Sequence, residues 1–125
     1  MRRFLTKNFL PFFANATISD LFLISALAGI GEEFFFRGFL LDFLTPYASR
    51  EGALLISSLL FGLAHMATPA YALVATFAGL LFGIMTLHAG NLMPAILSHA
   101  LYDFIALVWL VKRGGGVKTK NAGSF

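Results

Sequence analysis

The sequence lacks cysteine altogether and carries few charges. With no cysteine among its 125 residues, thiolate catalysis, disulfide bonds and cysteine-ligated zinc or iron–sulfur sites are excluded. Charged residues make up only 12% of the chain, whereas 58% are hydrophobic and the mean hydropathy is +0.82. This composition predicts an all-α integral membrane protein. The net charge of +3 comes mostly from the two ends and forms no basic stripe, so nucleic-acid binding is not expected.

The chain length allows about four membrane-spanning helices, because each span needs about 20 apolar residues. Four hydrophobic runs are separated by polar residues, at about 18–44, 53–66, 70–87 and 92–111. The first two are separated by a predicted turn at 50–52. A core at 18–111 then follows a basic, partly amphipathic lead-in at 1–17 and precedes a basic, glycine-rich tail at 112–125. Lysines and arginines at both ends predict a multi-pass protein with cytoplasmic termini.

Several small or polar residues have structural interpretations. Ala75, Gly79 and Gly83 form a ridge of small residues on the third run, suited to close helix packing within the chain or between copies in an oligomer. Asp20 is interpreted as a helix cap. Asp42 and His88 are interpreted as residues of the membrane interface.

The first run contains three charged residues, Glu32, Glu33 and Arg37. Central charges cost roughly 2.5–3.5 kcal/mol each, so three cost on the order of 8–10 kcal/mol. The surrounding apolar residues return only about 7 kcal/mol. This helix would insert poorly alone, and its polar groups must face protein or a water-filled cavity.

The two adjacent glutamates differ in their expected partners. Glu33 and Arg37 lie four residues apart on one helix face and can form an ion pair. A purely structural role and a functional role of this pair are given equal weight. Glu32 lies about 100° around the helix from Glu33 and is poorly placed for the same arginine. A second carboxyl in a low-dielectric environment takes up a proton or finds another cation, as a general acid or base requires. Glu32 is therefore the first catalytic candidate.

Two histidines on later runs have same-face neighbours four residues away. Phe61 and His65 share a face of the second helix, and His99 and Asp103 share a face of the fourth. Taken singly, His65 could be an interfacial residue, and His99 with Asp103 a neutralising pair. Catalysis requires Glu32 and both histidines to converge on one cavity. Since straight spans would place the histidines at different depths, we expect tilted or offset helices, or shifted helix boundaries.

Three motifs follow one another along the chain: Glu-Glu-x-x-x-Arg from Glu32, Phe-x-x-x-His from Phe61, and His-x-x-x-Asp from His99. This combination resembles the CAAX protease and bacteriocin-processing (CPBP) family of intramembrane endopeptidases, which includes the type II CAAX prenyl endopeptidases. The resemblance covers about 32–103, and members usually have more helices than this chain supplies. It implies hydrolysis of peptide bonds in membrane-associated peptides or proteins.

The resemblance also implies a role for each residue of the first two motifs. Glu32 corresponds to the glutamate that activates water as general base, and His65 to the histidine that helps to position and deprotonate that water. Glu33 and Arg37 correspond to a structural and substrate-positioning pair, and Phe61 to a residue packed beside the site.

In the third motif, His99 and Asp103 correspond to residues that stabilise the oxyanion of the tetrahedral intermediate. The last position is often asparagine in the family, and an ionised aspartate cannot donate a hydrogen bond to an oxyanion. Asp103 is therefore either protonated through burial or accepts a ring N–H of His99, which leaves the other ring nitrogen as donor. The second interpretation is preferred.

A zinc-dependent reaction is the alternative mechanism. Glu32, His65 and His99 would then be the ligands, since zinc accepts carboxylates and imidazoles and family members have been described as metalloproteases. The sequence has no His-Glu-x-x-His motif. We therefore expect a metal-free glutamate mechanism without a cofactor.

Two alternative functions involve no proteolysis. A catalytically inactive scaffold could bind a peptide, as a bacteriocin self-immunity factor does, and buried carboxylates could serve a small proton-coupled carrier. The sequence contains no inverted repeats, which disfavours the carrier. The expected partners are the lipid bilayer and a peptide or protein substrate.

Overall fold

The computed structural model describes residues 2–114, apart from the side chains of Arg2 and Leu5. Every regular element in this range is helical, which confirms the predicted all-α fold. In chain order the elements are α1 (Arg2–Asn8), α2 (Leu10–Phe13), α3 (Ile18–Glu33), a π-helical segment (Phe34–Leu40), α4 (Leu41–Ala64), α5 (Pro69–Ala89) and α6 (Met93–Gly114). Of the predicted tail, 112–114 belong to α6 and 115–125 lie outside the described residues.

Two of the described helices, α5 and α6, are long and apolar enough to cross a membrane. Many of their large hydrophobic side chains are exposed, as lipid-facing side chains would be. They correspond to the third and fourth predicted spans. The two earlier spans, interrupted by charges or short, remain a prediction.

Helix starts follow local capping chemistry. Thr17, not Asp20, is the N-cap of α3: its hydroxyl accepts the Asp20 N–H at 3.2 Å, and the Asp20 carboxylate accepts the Thr17 N–H at 2.8 Å. This reciprocal pair is a capping box, so Asp20 stabilises the helix from its third position. Thr68 similarly caps α5 by accepting the Tyr71 N–H at 3.1 Å, and Gly90 ends that helix in the left-handed conformation, with φ 70°.

The turn predicted at 50–52 is a kink at Ser49 within α4. Ser49 has φ 62°, and its hydroxyl accepts the N–H of Gly52 at 3.2 Å, which caps the second half of the helix. Pro46 precedes the kink and lacks the N–H that a continuous helix would use. The second predicted hydrophobic run is therefore the half of α4 that follows this kink.

The π-helical segment follows directly after Glu33 and contains Arg37. At its end, the N–H of Leu41 bonds the carbonyl oxygen of Phe36, five residues earlier. This wider turn differs from the continuous α-helix expected of the first run. Short π-helical stretches within helices often occur at functional sites.

Glycines allow close approach between the packed helix pairs α3–α6 and α4–α5. A Cβ atom at Gly29 of α3 would lie 3.0 Å from the Cβ of Ala100 on α6. At Gly62 of α4, a Cβ would lie 2.7 Å from the carbonyl oxygen of Ala72 and closer still to the hydroxyl of Thr76. The predicted ridge of small residues is buried within the chain, against α4 and the π-helical segment.

We expect Gly62→Ala to destabilise the fold by about 1–3 kcal/mol, because the added methyl group forces α4 and α5 apart. Gly31→Ala is the matched control, since a Cβ at Gly31 meets no atom within 4 Å, and alanine favours the helix by up to about 1 kcal/mol. Thermal unfolding of both variants in detergent measures the difference. Equal stability of the two variants would contradict the close packing at Gly62.

Candidate active site

Six polar side chains from four elements meet inside the bundle. They are Glu32 and Glu33 of α3, Arg37 of the π-helical segment, His65 at the end of α4, and His99 and Asp103 of α6. All six were singled out from the sequence. They divide into two sets by exposure: a buried group (Glu33, Arg37 and His99) with side chains at most 3% exposed, and an accessible group (Glu32, His65 and Asp103) with side chains 25–33% exposed.

The buried group is centred on the Glu33 carboxylate. Nη1 of Arg37 donates to Oε1 of Glu33 at 3.0 Å, so the predicted ion pair is confirmed. The same oxygen lies 2.6 Å from Nδ1 of His99, a contact that sequence spacing did not predict. Nη2 of Arg37 donates to the carbonyl oxygen of Gly79 on α5 at 2.7 Å. One carboxylate and one guanidinium thus tie α3, the π-helical segment, α5 and α6 together.

Aromatic rings enclose this buried group. The guanidinium carbon of Arg37 lies 4.5 Å from the ring centre of Phe61 and 5.6 Å from that of Phe82, within the range of cation–π attraction. The His99 ring stacks on Phe82 at 5.1 Å and meets Phe61 edge-on at 5.7 Å. The prediction that Phe61 packs beside the site is confirmed.

In the accessible group, Glu32 lies between the two histidines. Its Oε2 is 3.2 Å from Nε2 of His65 and 3.4 Å from Nε2 of His99. Glu32 therefore meets both histidines as predicted, but the cavity described below is lined by the two histidines and not by Glu32. This oxygen accepts no well-aligned hydrogen bond from any described residue, although it is itself buried. It remains available to a third group that enters between the rings.

The tautomer of His65 follows from its backbone contact. Nδ1 lies 2.7 Å from the carbonyl oxygen of Phe61, and because a carbonyl only accepts, Nδ1 carries a proton. Nε2 of a neutral His65 is then an acceptor that faces Oε2 of Glu32, another acceptor. The pair is attractive only when a proton lies between these two atoms, so Glu32 and His65 together can hold and release one proton.

Both ring nitrogens of His99 face carboxylates. Nε2 lies 3.2 Å from Oδ2 of Asp103, the pairing expected between these two residues. Nδ1 is taken by Glu33, so the expectation that the second ring nitrogen is free to donate to an oxyanion is wrong. Glu33 is buried on another helix and occupies that position. Only the Nε2 side of His99 faces the accessible group.

A small cavity adjoins the accessible group between α4, α5 and α6. It has a volume of about 30 Å³, and its lining includes His65, His99 and Asp103 together with Tyr71 of α5 and Tyr102 of α6. One water molecule needs about 10–15 Å³ measured in this way. The cavity therefore has room for a water molecule or a carbonyl group beside a few polar side chains in a mostly apolar lining.

The donor atoms of the accessible group are of kinds that zinc accepts. In the described part of the chain, however, no three His, Asp or Glu side chains are grouped as ligands of one metal ion. Oε2 of Glu32 contacts Nε2 of His65 and Nε2 of His99 directly.

The other polar residues considered from the sequence lie outside this cluster. His88 is exposed near the end of α5, and Asp42 is exposed near the start of α4. Sequence reasoning missed the carbonyl of Gly79 as a partner of Arg37, and the place of Tyr71 in the cavity lining. A backbone carbonyl leaves no compositional signal, and a single tyrosine beside a helix cap has no informative spacing.

Comparison with known proteins identifies one matching family. The family model described as Type II CAAX prenyl endopeptidase Rce1-like matches residues 14–105. The matched range contains every residue of the buried and accessible groups. No curated protein and no solved structure matches the chain.

We expect Glu33→Gln to destabilise the fold by about 3–5 kcal/mol, because Arg37 is left as a buried charge without its counter-ion. Adding Arg37→Met to Glu33→Gln removes that charge and should restore part of the loss. Unfolding in detergent of the two single variants and the double variant forms a cycle that measures the coupling. Additive losses, or a Glu33→Gln variant as stable as the exposed-site control Glu51→Gln, would contradict the role given to Glu33.

Proposed function

Because the chain belongs to the Rce1-like family of type II CAAX prenyl endopeptidases, we propose that it is an intramembrane endopeptidase that activates water with Glu32 and His65. One observation carries the proposal: Oε2 of Glu32 lies 3.2 Å from Nε2 of His65 and 3.4 Å from Nε2 of His99, inside an apolar helical bundle. A carboxylate with a free acceptor position beside an imidazole is the arrangement that general-base catalysis needs.

In the first step, the substrate carbonyl enters beside Glu32 and His65, with a water molecule between them. An electron pair of the water oxygen forms a bond to the carbonyl carbon, and the π pair of the carbonyl moves to its oxygen. The water proton passes to Glu32, where Nε2 of His65 shares it. The tautomer of His65, with Nδ1 bonded to Phe61, leaves Nε2 free for this task.

In the second step, the tetrahedral intermediate collapses. The carbonyl π bond re-forms, the carbon–nitrogen bond breaks, and its electron pair stays on the leaving nitrogen. That nitrogen takes the proton held by Glu32, so the same carboxyl serves first as base and then as acid. The products are a new C-terminal carboxyl and a new amine, and the site returns to its starting protonation state.

The buried group acts through position and charge. Glu33 fixes the ring of His99 through Nδ1, and Arg37 fixes Glu33. His99 thereby presents Nε2 to Glu32 and Asp103 at 3.4 Å and 3.2 Å. Held in this orientation, Nε2 of His99 lies between the two carboxylates and positions both of them beside the substrate.

The substrates we propose are membrane-associated peptides or proteins, of the CAAX or bacteriocin-leader type. The helices α3–α6 would supply four spans with both chain ends in the cytoplasm, following the distribution of lysine and arginine. The exposed apolar surface of α5 and α6 supports placement in lipid. A scissile bond would reach the accessible group from within or beside the bilayer.

We expect Glu32→Gln to lower kcat by about 10²–10⁴-fold, the usual contribution of a general base, and His65→Ala to have a similar effect. Cleavage of a farnesylated CAAX peptide that carries a fluorophore–quencher pair, measured in proteoliposomes, supplies the rates. Glu51→Gln and His88→Ala are matched controls, because both residues are exposed and lie outside the cluster.

Glu32→Gln and His65→Ala should both unfold at the wild-type temperature, since Glu32 and His65 are only partly buried. Wild-type cleavage by folded Glu32→Gln would overturn the proposed function. If none of the proteins cleaves the farnesylated peptide, a second measurement decides whether the protein is a protease. It compares the membrane peptides that accumulate in cells with the wild-type protein and in cells with Glu32→Gln. Identical peptide profiles would then count against proteolysis.

We also propose that water activation needs no metal. Activity should persist after incubation with 1,10-phenanthroline, and elemental analysis of the purified active protein should find less than one zinc per chain. Loss of activity in the chelator that added zinc restores would contradict this mechanism and make Glu32, His65 and His99 metal ligands.

A further inference from the structure

We propose that the phenol of Tyr71 is a catalytic residue of this site, which donates a hydrogen bond to the substrate carbonyl oxygen as it becomes an oxyanion. The inference rests on the proposed endopeptidase function and extends it to a residue outside the three sequence motifs. Tyr71 lines the cavity of about 30 Å³ that also borders His65, His99 and Asp103.

The first argument is the shortage of free donors in this cavity. Nδ1 of His65 is used by the Phe61 carbonyl, and Nδ1 of His99 by Glu33. Nε2 of His99 faces the carboxylates of Asp103 and Glu32, and an ionised aspartate only accepts. Negative charge that forms here on a substrate oxygen would meet mainly acceptors or committed donors.

The second argument is that Tyr71 supplies a hydroxyl group that can donate a hydrogen bond. Within residues 2–114, no group bonds its hydroxyl, so the hydroxyl is free to donate. Tyr102 lines the same cavity but is 51% exposed, whereas Tyr71 is half-buried.

The third argument is that the position of Tyr71 is fixed by the backbone. The residue lies in the first turn of α5, where its N–H bonds the hydroxyl of Thr68 at 3.1 Å, and Pro69 fixes the helix start. The cavity has room for a carbonyl group or about two to three water molecules, but not for a bulky side chain. A carbonyl oxygen that enters it would lie among His65, Tyr71 and Asp103.

No proton or electron pair leaves Tyr71 in this step. Attack by water transfers the π pair to the carbonyl oxygen, the water proton goes to Glu32, and the phenol donates a hydrogen bond while keeping its proton. Because this bond strengthens as charge develops, its loss affects the transition state more than the bound substrate. The prediction is therefore a fall in kcat with little change in KM.

Tyr71→Phe tests the proposal, since it removes only the hydroxyl oxygen. We expect kcat for the farnesylated fluorogenic CAAX peptide to fall about 100-fold, the scale for loss of one oxyanion donor, with KM within about twofold of wild type. Tyr47→Phe is the matched control, because Tyr47 is 78% exposed and remote from the cluster. Thermal unfolding of both variants in detergent checks that neither change alters the fold.

The outcomes separate this inference from the proposed function. If Glu32→Gln is inactive but Tyr71→Phe keeps wild-type kcat, the role of Tyr71 is wrong and the endopeptidase assignment stands. A rise in KM with kcat unchanged also overturns it, since Tyr71 would then bind substrate without stabilising the transition state. If Glu32→Gln cleaves as wild type does, the proposed function itself fails. Should Tyr71→Phe unfold early, Tyr71→His keeps a ring donor and must retain more kcat than Tyr71→Leu.

Discussion

The buried carboxylate of Glu33 contacts the guanidinium of Arg37 and a ring nitrogen of His99. These two contacts hold the site and the helix bundle together. Glu33 accepts from Arg37 at 3.0 Å and faces Nδ1 of His99 at 2.6 Å. A charge removed from water costs several kcal/mol unless its partners are well placed. Each partner comes from a different element, and therefore the rotation of α6 and that of the π-helical segment are fixed by the same oxygen. The geometry of the site is in this sense a consequence of pairing one buried carboxylate through its Oε1.

Adjacent glutamates take different roles because the helix turns by about 100° between them. Glu33 points into the protein and is fully buried, whereas the side chain of Glu32 is 33% exposed beside His65. Two carboxyls of the same kind thus differ through their surroundings: Glu33 is a fixed counter-ion, and Glu32 is the base of the proposed reaction. His99 contacts both glutamates, one through each ring nitrogen, and is the only side chain of the six that joins the buried group to the accessible group.

Sequence spacing predicted the contacts between residues of one helix. It predicted few of the contacts between helices, which depend on how the helices are rotated against each other. The all-α fold follows from the composition and the hydrophobic runs, and the Glu33–Arg37 pair and the separation of Glu32 from that pair follow from 3.6-residue periodicity. The 2.6 Å contact between Glu33 and His99 joins residues 66 positions apart, so it depends on how α3 and α6 are rotated against each other. The π-helical segment was also missed, because a run of phenylalanines fits an α-turn and a π-turn equally well. The site residues were identifiable as a set, but not their division into buried and accessible groups.

The ridge of small residues on α5 explains how a helix without charged side chains contributes to a polar site. The carbonyl of Gly79 has two lone pairs, one for its own helix and one that accepts Nη2 of Arg37 at 2.7 Å. A Cβ atom at Gly79 would lie 2.8 Å from that nitrogen and 3.1 Å from the ring of Phe61. Any larger residue would displace the guanidinium, and Glu33 and His99 would move with it. Because Gly79 has no side chain, the guanidinium of Arg37 can approach α5 and reach its carbonyl oxygen. The packing that brings the helices close therefore also places the cation that pairs with Glu33.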